Sequence, residues 1–134
     1  KRTLSNSMGA IISELKKHPV ATYRLHYMSS DVEATNLANE IDNILTSVGW
    51  QRIHPIITLA GSQLPAGVTV YMIKAVEPPV TLLNLLWNAL QQKGVQGEVL
   101  QDVDNVFKIR GWSAVELSGN TQGVVVFIGP NSDN

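Results

Sequence analysis

Apolar positions recur along this chain with two periods, one near 3.6 residues and one of two, and the switches between them predict its elements. Leu4, Met8, Ile11, Ile12 and Leu15 fall on one helical stripe. Lys16, Lys17 and His18 suit the negative end of that helix, and Pro19 stops it. Residues 20–28 then alternate as a strand does, with Ala21, Tyr23, Leu25 and Tyr27 to one side and Thr22, Arg24 and His26 to the other. The clearest element is a helix over 30–48, in which Ala34, Leu37, Ala38, Ile41, Ile44, Leu45 and Val48 share a face. Ser30 and Glu33 have capping-box spacing, Asp31 sits at the positive helix end, and Gly49 suits the exit.

Two β-rich runs follow, 51–59 and 68–76, joined by the turn-rich 61–67, and they read as an antiparallel pair with a long hairpin loop. Pro55 cannot donate to a ladder, which argues for an edge or a bulge in the first run. Pro78-Pro79 precede a helix over 80–93 that Gly94 closes. Its Leu82, Leu83, Leu85, Leu86, Trp87 and Leu90 spread over more than one stripe, as in a helix buried on two sides or facing a partner. Short strands are expected at 99–109 and 114–117, and another at 124–128 after a turn at Ser118-Gly119-Asn120. This order predicts an α+β two-layer sandwich: a split βαβ, ferredoxin-like mixed sheet with helices on one face, plus an N-terminal helix. Residues 1–18 form that amphipathic helix, 19–130 the single α/β domain, and 131–134 a frayed tail.

Composition narrows the classes. A chain of 134 residues with 44% hydrophobic positions fits one domain able to stand on its own core. Its net charge of −1, with no basic run longer than two, argues against nucleic acid as a partner. Without cysteine, zinc ribbons, iron–sulfur clusters and thiol catalysis drop out, and no cofactor is expected. The most apolar stretch, 80–90, is too short to span a bilayer. Because the chain opens on Lys1-Arg2 rather than Met, it is expected to be part of a longer protein, with any membrane contact made through a segment outside it.

Several short motifs run the length of the chain: Arg2-Thr3-Leu4-Ser5, Asp31-Val32-Glu33-Ala34, Ala38 with Gly49-Trp50, Gly67-Val68-Thr69-Val70, Leu90 with Gly94, and Val126-Phe127-Ile128-Gly129-Pro130. In these it resembles a soluble α/β domain that follows predicted membrane-spanning helices in uncharacterised bacterial proteins. The resemblance implies a bacterial domain tethered near a membrane, at its cytoplasmic face or in the cytoplasm, with the periplasm as the other setting. It implies no catalytic residue.

The residues offer little chemistry of their own. Asp31 and Glu33 are explained as first-turn carboxylates. His18, His26 and His54 lack ligand spacing, so no metal site is expected. Ser62 and Ser118 sit in turn sequences without a nucleophile elbow or a phosphate-loop signature. Arg24, His26, Arg52 and His54 form the one suggestive group. Alternation puts each pair on one face of its strand, and together they would line an open sheet face able to bind an anionic ligand or a nucleotide phosphate. An open face is also polar simply because it meets water. Core packing is the first expectation for both tryptophans, Trp50 at a helix–strand junction and Trp87 on the wide apolar helix, with an interface anchor as the alternative; in that role Trp87 joins Leu4, Met8, Ile11 and Leu15 as candidate interface residues.

The favoured expectation is therefore a non-enzymatic interaction or sensory module of a membrane-associated bacterial protein, acting by self-association or by binding a protein partner. A regulatory domain for a small anion or nucleotide is the alternative, and a small hydrolase or transferase comes third.

Overall fold

In the computed structural model, described for residues 2–28, 30–52, 57–59, 66–72, 76–99 and 124–131, the elements follow the periodicities closely. They are α1 (Met8–Leu15), β1 (Thr22–Met28), α2 (Val32–Ser47), β2 (Gln51–Arg52), β3 (Ile57–Leu59), β4 (Val68–Met72), α3 (Glu77–Ala89), β5 (Val95–Val99) and β6 (Val124–Ile128). Asp31, not Ser30, caps α2: its carboxylate accepts the Ala34 N–H at 3.1 Å. Pro78 and Pro79 lie inside α3 rather than ahead of it, because the first turn has no intrahelical use for their missing N–H groups. The strands expected in 101–123 and the turn at 118–120 lie outside the described residues, as does Pro55.

The sheet is mixed, in the order β2-β1-β6-β4-β5, with β3 also pairing β1. β1 is parallel to β2, β3 and β6, β4 is parallel to β5, and β4 and β6 are antiparallel. This is the expected α+β class of mixed sheet with packed helices, but its connectivity differs from the split βαβ arrangement. No strand separates β1 from β2, or β4 from β5, so each crossover joins neighbours. The runs 51–59 and 68–76 do not pair with each other: β3 joins β1, and β4 lies across β6. The last strand takes the centre.

A symmetry follows from these directions. β1 and β4 run oppositely, and their crossovers step outward to opposite ends of the sheet. Two crossovers of one hand, stepping outward from oppositely directed strands, put their helices on the same face. So α2 packs over β1, β2 and β6, while α3 packs over β4 and β5. α1 touches both helices. Leu4, Ile11 and Leu15 of the leading segment are buried in the same core as Leu37, Ile41, Leu82 and Leu86. Two helices therefore do not fill this face; they stand at its ends, and the third closes the gap. Leu4, Ile11 and Leu15 accordingly cannot serve as an exposed interface, and Met8 is partly buried against them.

The face away from the helices is not open either. Arg24, His26, Thr69, Tyr71, Val125 and Phe127 all point there and are no more than 3% exposed. His26 stacks on Phe127, ring centroids 4.5 Å apart, and Tyr71 meets the same ring edge-on at 5.0 Å. A sheet polar on this side for want of a cover is thus not what the sequence folds into.

Candidate functional site

The group proposed from alternation does not assemble. Arg24 and His26 share the second sheet face but are closed to solvent. Arg52 lies on the other face, because the parallel register pairs it with Tyr23, whose side chain is in the helix-covered core. There it forms an ion pair with Asp42 of α2 at 2.8 Å, and the Tyr23 hydroxyl donates to the same carboxylate. Burial and then the bond to Asp42 push the Tyr23 phenol far above its ordinary pKa. His54 lies outside the described residues. Strand parity alone could not place Arg52, since parity fixes which residues share a side and the register decides which side it is.

Charged residues near the surface are mostly committed to holding elements together. Glu33, free of the N-cap role, takes the Arg2 backbone N–H at 2.7 Å and its Nε at 2.8 Å, while Arg2 Nη2 donates to the Gly129 carbonyl. Burial pushes Glu33 upward, yet these Arg2 bonds and charge outweigh it and hold the carboxyl below its usual value. Glu40 receives the Thr3 and Ser5 hydroxyls and the Leu4 N–H. His18 bridges Glu14 and Glu77, and the hydrogen bonds to Glu77 and Glu14 raise its pKa, tying the end of α1 to the start of α3. A polar cleft of about 410 Å³ opens beside Arg2, Asn6, Gln91 and Lys93; along its wall Arg2 Nε and Nη2 are held by Glu33 and Gly129, while its buried Nη1 has no hydrogen-bond partner among the described residues. Among the described residues no cluster of His, Asp and Glu could hold a metal ion.

Among the described residues, large apolar side chains stay exposed at Val20, Val32, Trp87 and Val99, and the last two lie on the α3–β5 side. Trp87 of α3 is 41% exposed and Val99 of β5 48%. A groove of about 260 Å³ lies beside Trp87, lined by Leu83, Asn84, Trp87, Val95, Gln96 and Gly97. Gly97 is what lets α3 approach the strand: a Cβ there would sit 2.4 Å from a Leu83 methyl. β5 is the last strand on this side of the sheet among the described residues, and Gln96, Gly97, Glu98 and Val99 are all exposed. Of the sequence-based interface candidates, Trp87 alone is substantially exposed. The strand beside it was missed, although the two-residue period of Val95, Gly97 and Val99 against Gln96 and Glu98 carries a strand signal. With glycine at its centre and no second apolar residue between the valines, that signal is faint.

No helix among the described residues is long and apolar enough to cross a membrane. Comparison with protein-family models, with curated proteins and with solved structures finds no match to this chain.

Proposed function

We propose that this domain is a non-enzymatic interaction module of a membrane-associated bacterial protein, and that it binds another protein chain through its β5–α3 end. One observation carries the proposal: a half-exposed tryptophan borders a groove against β5, the edge strand among the described residues, whose last residue is a half-exposed valine. An exposed edge is a ready template for pairing with another chain, and a neighbouring aromatic supplies the apolar anchor that interfaces favour. The competing anion-binding reading loses its support with Arg24 and His26 buried and Arg52 paired to Asp42. The bacterial, membrane-linked setting, on the cytoplasmic side, comes from the resemblance of the sequence motifs.

Site-specific photo-crosslinking in the intact protein, in its own cells, tests this. A photoreactive residue at position 87 or 99 is expected to give a discrete protein adduct, and one at Gln51, exposed at the opposite end of the sheet, none. No adduct from 87 or 99, or equal labelling from 51, would overturn the proposal.

A further inference from the structure

The backbone of β5 narrows the partner. Val68 N–H donates to the Gly94 carbonyl, and Val68 stands opposite Val95 in the parallel ladder. Residues 94, 96 and 98 therefore turn their N–H and C=O groups toward β4, since these directions alternate along a strand. Val95, Gly97 and Val99 turn theirs outward, and this is the row a further strand would meet.

We infer that the partner is a second copy of this chain, paired antiparallel along β5 about a two-fold axis through Gly97. This deepens the interaction reading above and rests on it. In that register Gly97 faces Gly97 of the second copy, and Val95 faces its Val99. Each of these pairs has its polar groups pointing outward and so exchanges two N–H···O bonds. Val95 and Val99 also lie on the helix side, and Val95 lines the groove beside Trp87. The exposed valine thereby meets a valine. Between the bonded pairs, Gln96 faces Glu98 of the second copy, a neutral donor against a carboxylate. Centring the axis on Glu98 instead would set two carboxylates directly opposite, which is destabilising. Edge strands that avoid pairing carry lysine, proline or a bulge. The strand Val95–Val99, of sequence VQGEV, carries none of these, and its one charge, Glu98, is set against Gln96 of the second copy. The two-fold keeps both α3 helices on one face, so the two Trp87 side chains flank the joined strands.

The chain contains no cysteine, so introduced thiols report alone. Gln96 and Glu98 of the second copy form a non-hydrogen-bonded pair, where Cα atoms come within about 4.5 Å, inside the span of a disulfide. Mild oxidation of the Gln96→Cys/Glu98→Cys double variant is expected to give a covalent dimer of twice the 14.6 kDa chain mass. Either single variant is expected to give at least about ten-fold less, because like positions sit on the ~7–8 Å diagonal. Sedimentation equilibrium on the unmodified chain is expected to show a reversible dimer that Val99→Lys abolishes with the melting temperature of the dilute chain unchanged. A monomer at every concentration, a dimer indifferent to Val99→Lys, or single variants crosslinking as well as the double would overturn the inference. Photo-adducts from 87 and 99 to a different chain would also overturn it while upholding the interaction reading; no adduct at all would remove both.

Discussion

The β1–α2 end and the β4–α3 end of this sheet are built from the same unit, a strand, a crossover helix and a parallel neighbour, but they finish differently. At the first end a polar network seals the join: Tyr23 bonds Asp42, Asp42 pairs with Arg52, and the α2 stripe of Leu37, Ile41, Ile44 and Leu45 is no more than 1% exposed. At the second end no such triad is found among the described residues, although Gln96 of β5 donates to the Thr69 hydroxyl of β4 at 3.2 Å. Leu82 and Leu86 of α3 are buried, Leu83 and Leu85 are partly covered, and Trp87 faces out beside an edge strand with an exposed valine. Both ends fold by burying one helical face and both keep some apolar surface, Val20 ahead of β1 and Val32 at the start of α2 on the first, but only Trp87 on the second borders a groove. The wide apolar arc of α3 thus has two roles, and the narrow stripe of α2 has one.

The largest expected effect tests the sealed end. Ile41→Ala removes a side chain 1% exposed and should cost about 2–5 kcal/mol in chemical denaturation. A loss below about 0.5 kcal/mol, typical of surface positions, would mean that α2 does not pack as described. Next comes the seal itself. Tyr23→Phe deletes the hydroxyl that donates to Asp42 and should cost about 1.5–3 kcal/mol, the range for a bond to a charged group. At the open end, Trp87→Ala should cost the dilute chain less than Ile41→Ala, about 1–2 kcal/mol, because its side chain is 41% exposed. The same substitution should weaken association, so a pair of measurements, melting and sedimentation, separates the two ends.

The smallest effect is electrostatic and concerns the joint between α1 and α3. His18 has its pKa raised in the folded chain by Glu77 and Glu14, so its contribution is fully present below the unfolded imidazole value of about 6.5. It is lost as pH rises through the raised folded value. His18→Gln should therefore lower the melting temperature near pH 5.5 and leave it unchanged in alkaline solution. A substitution effect that grows with pH would contradict the bridge.

Much of the fold was legible in the sequence because its signals are local. The α2 stripe, the β1 alternation and the run Val124–Ile128 each declare their element within one window. The start of α3 was placed late because two prolines read as a break, although the first helical turn accepts them. Strand order was not legible, since nothing local in Val124–Ile128 says that it will slide between β1 and β4. The same non-local fact misplaced the candidate site. Arg24 and His26 alternate with apolar residues and so read as solvent-facing, but alternation cannot tell water from a second buried surface. The apolar stripe of the leading helix reads equally as interface or core from sequence, and only the outward crossovers of α2 and α3, which leave room for a third helix, decide for the core. Trp87 stood out from its place on an over-wide apolar helix, a local signal that pointed to an exposed residue.

Amide hydrogen exchange at the edge strand tests the central claim most directly, because it reads the outward backbone row itself. As protein concentration rises, exchange at Val95, Gly97 and Val99 should slow several-fold, while that at Gln96 and Glu98, whose N–H groups face β4, should not change. Rates at Val95, Gly97 and Val99 that stay fast at every concentration, or that match those of Gln96 and Glu98 already in dilute solution, would contradict it.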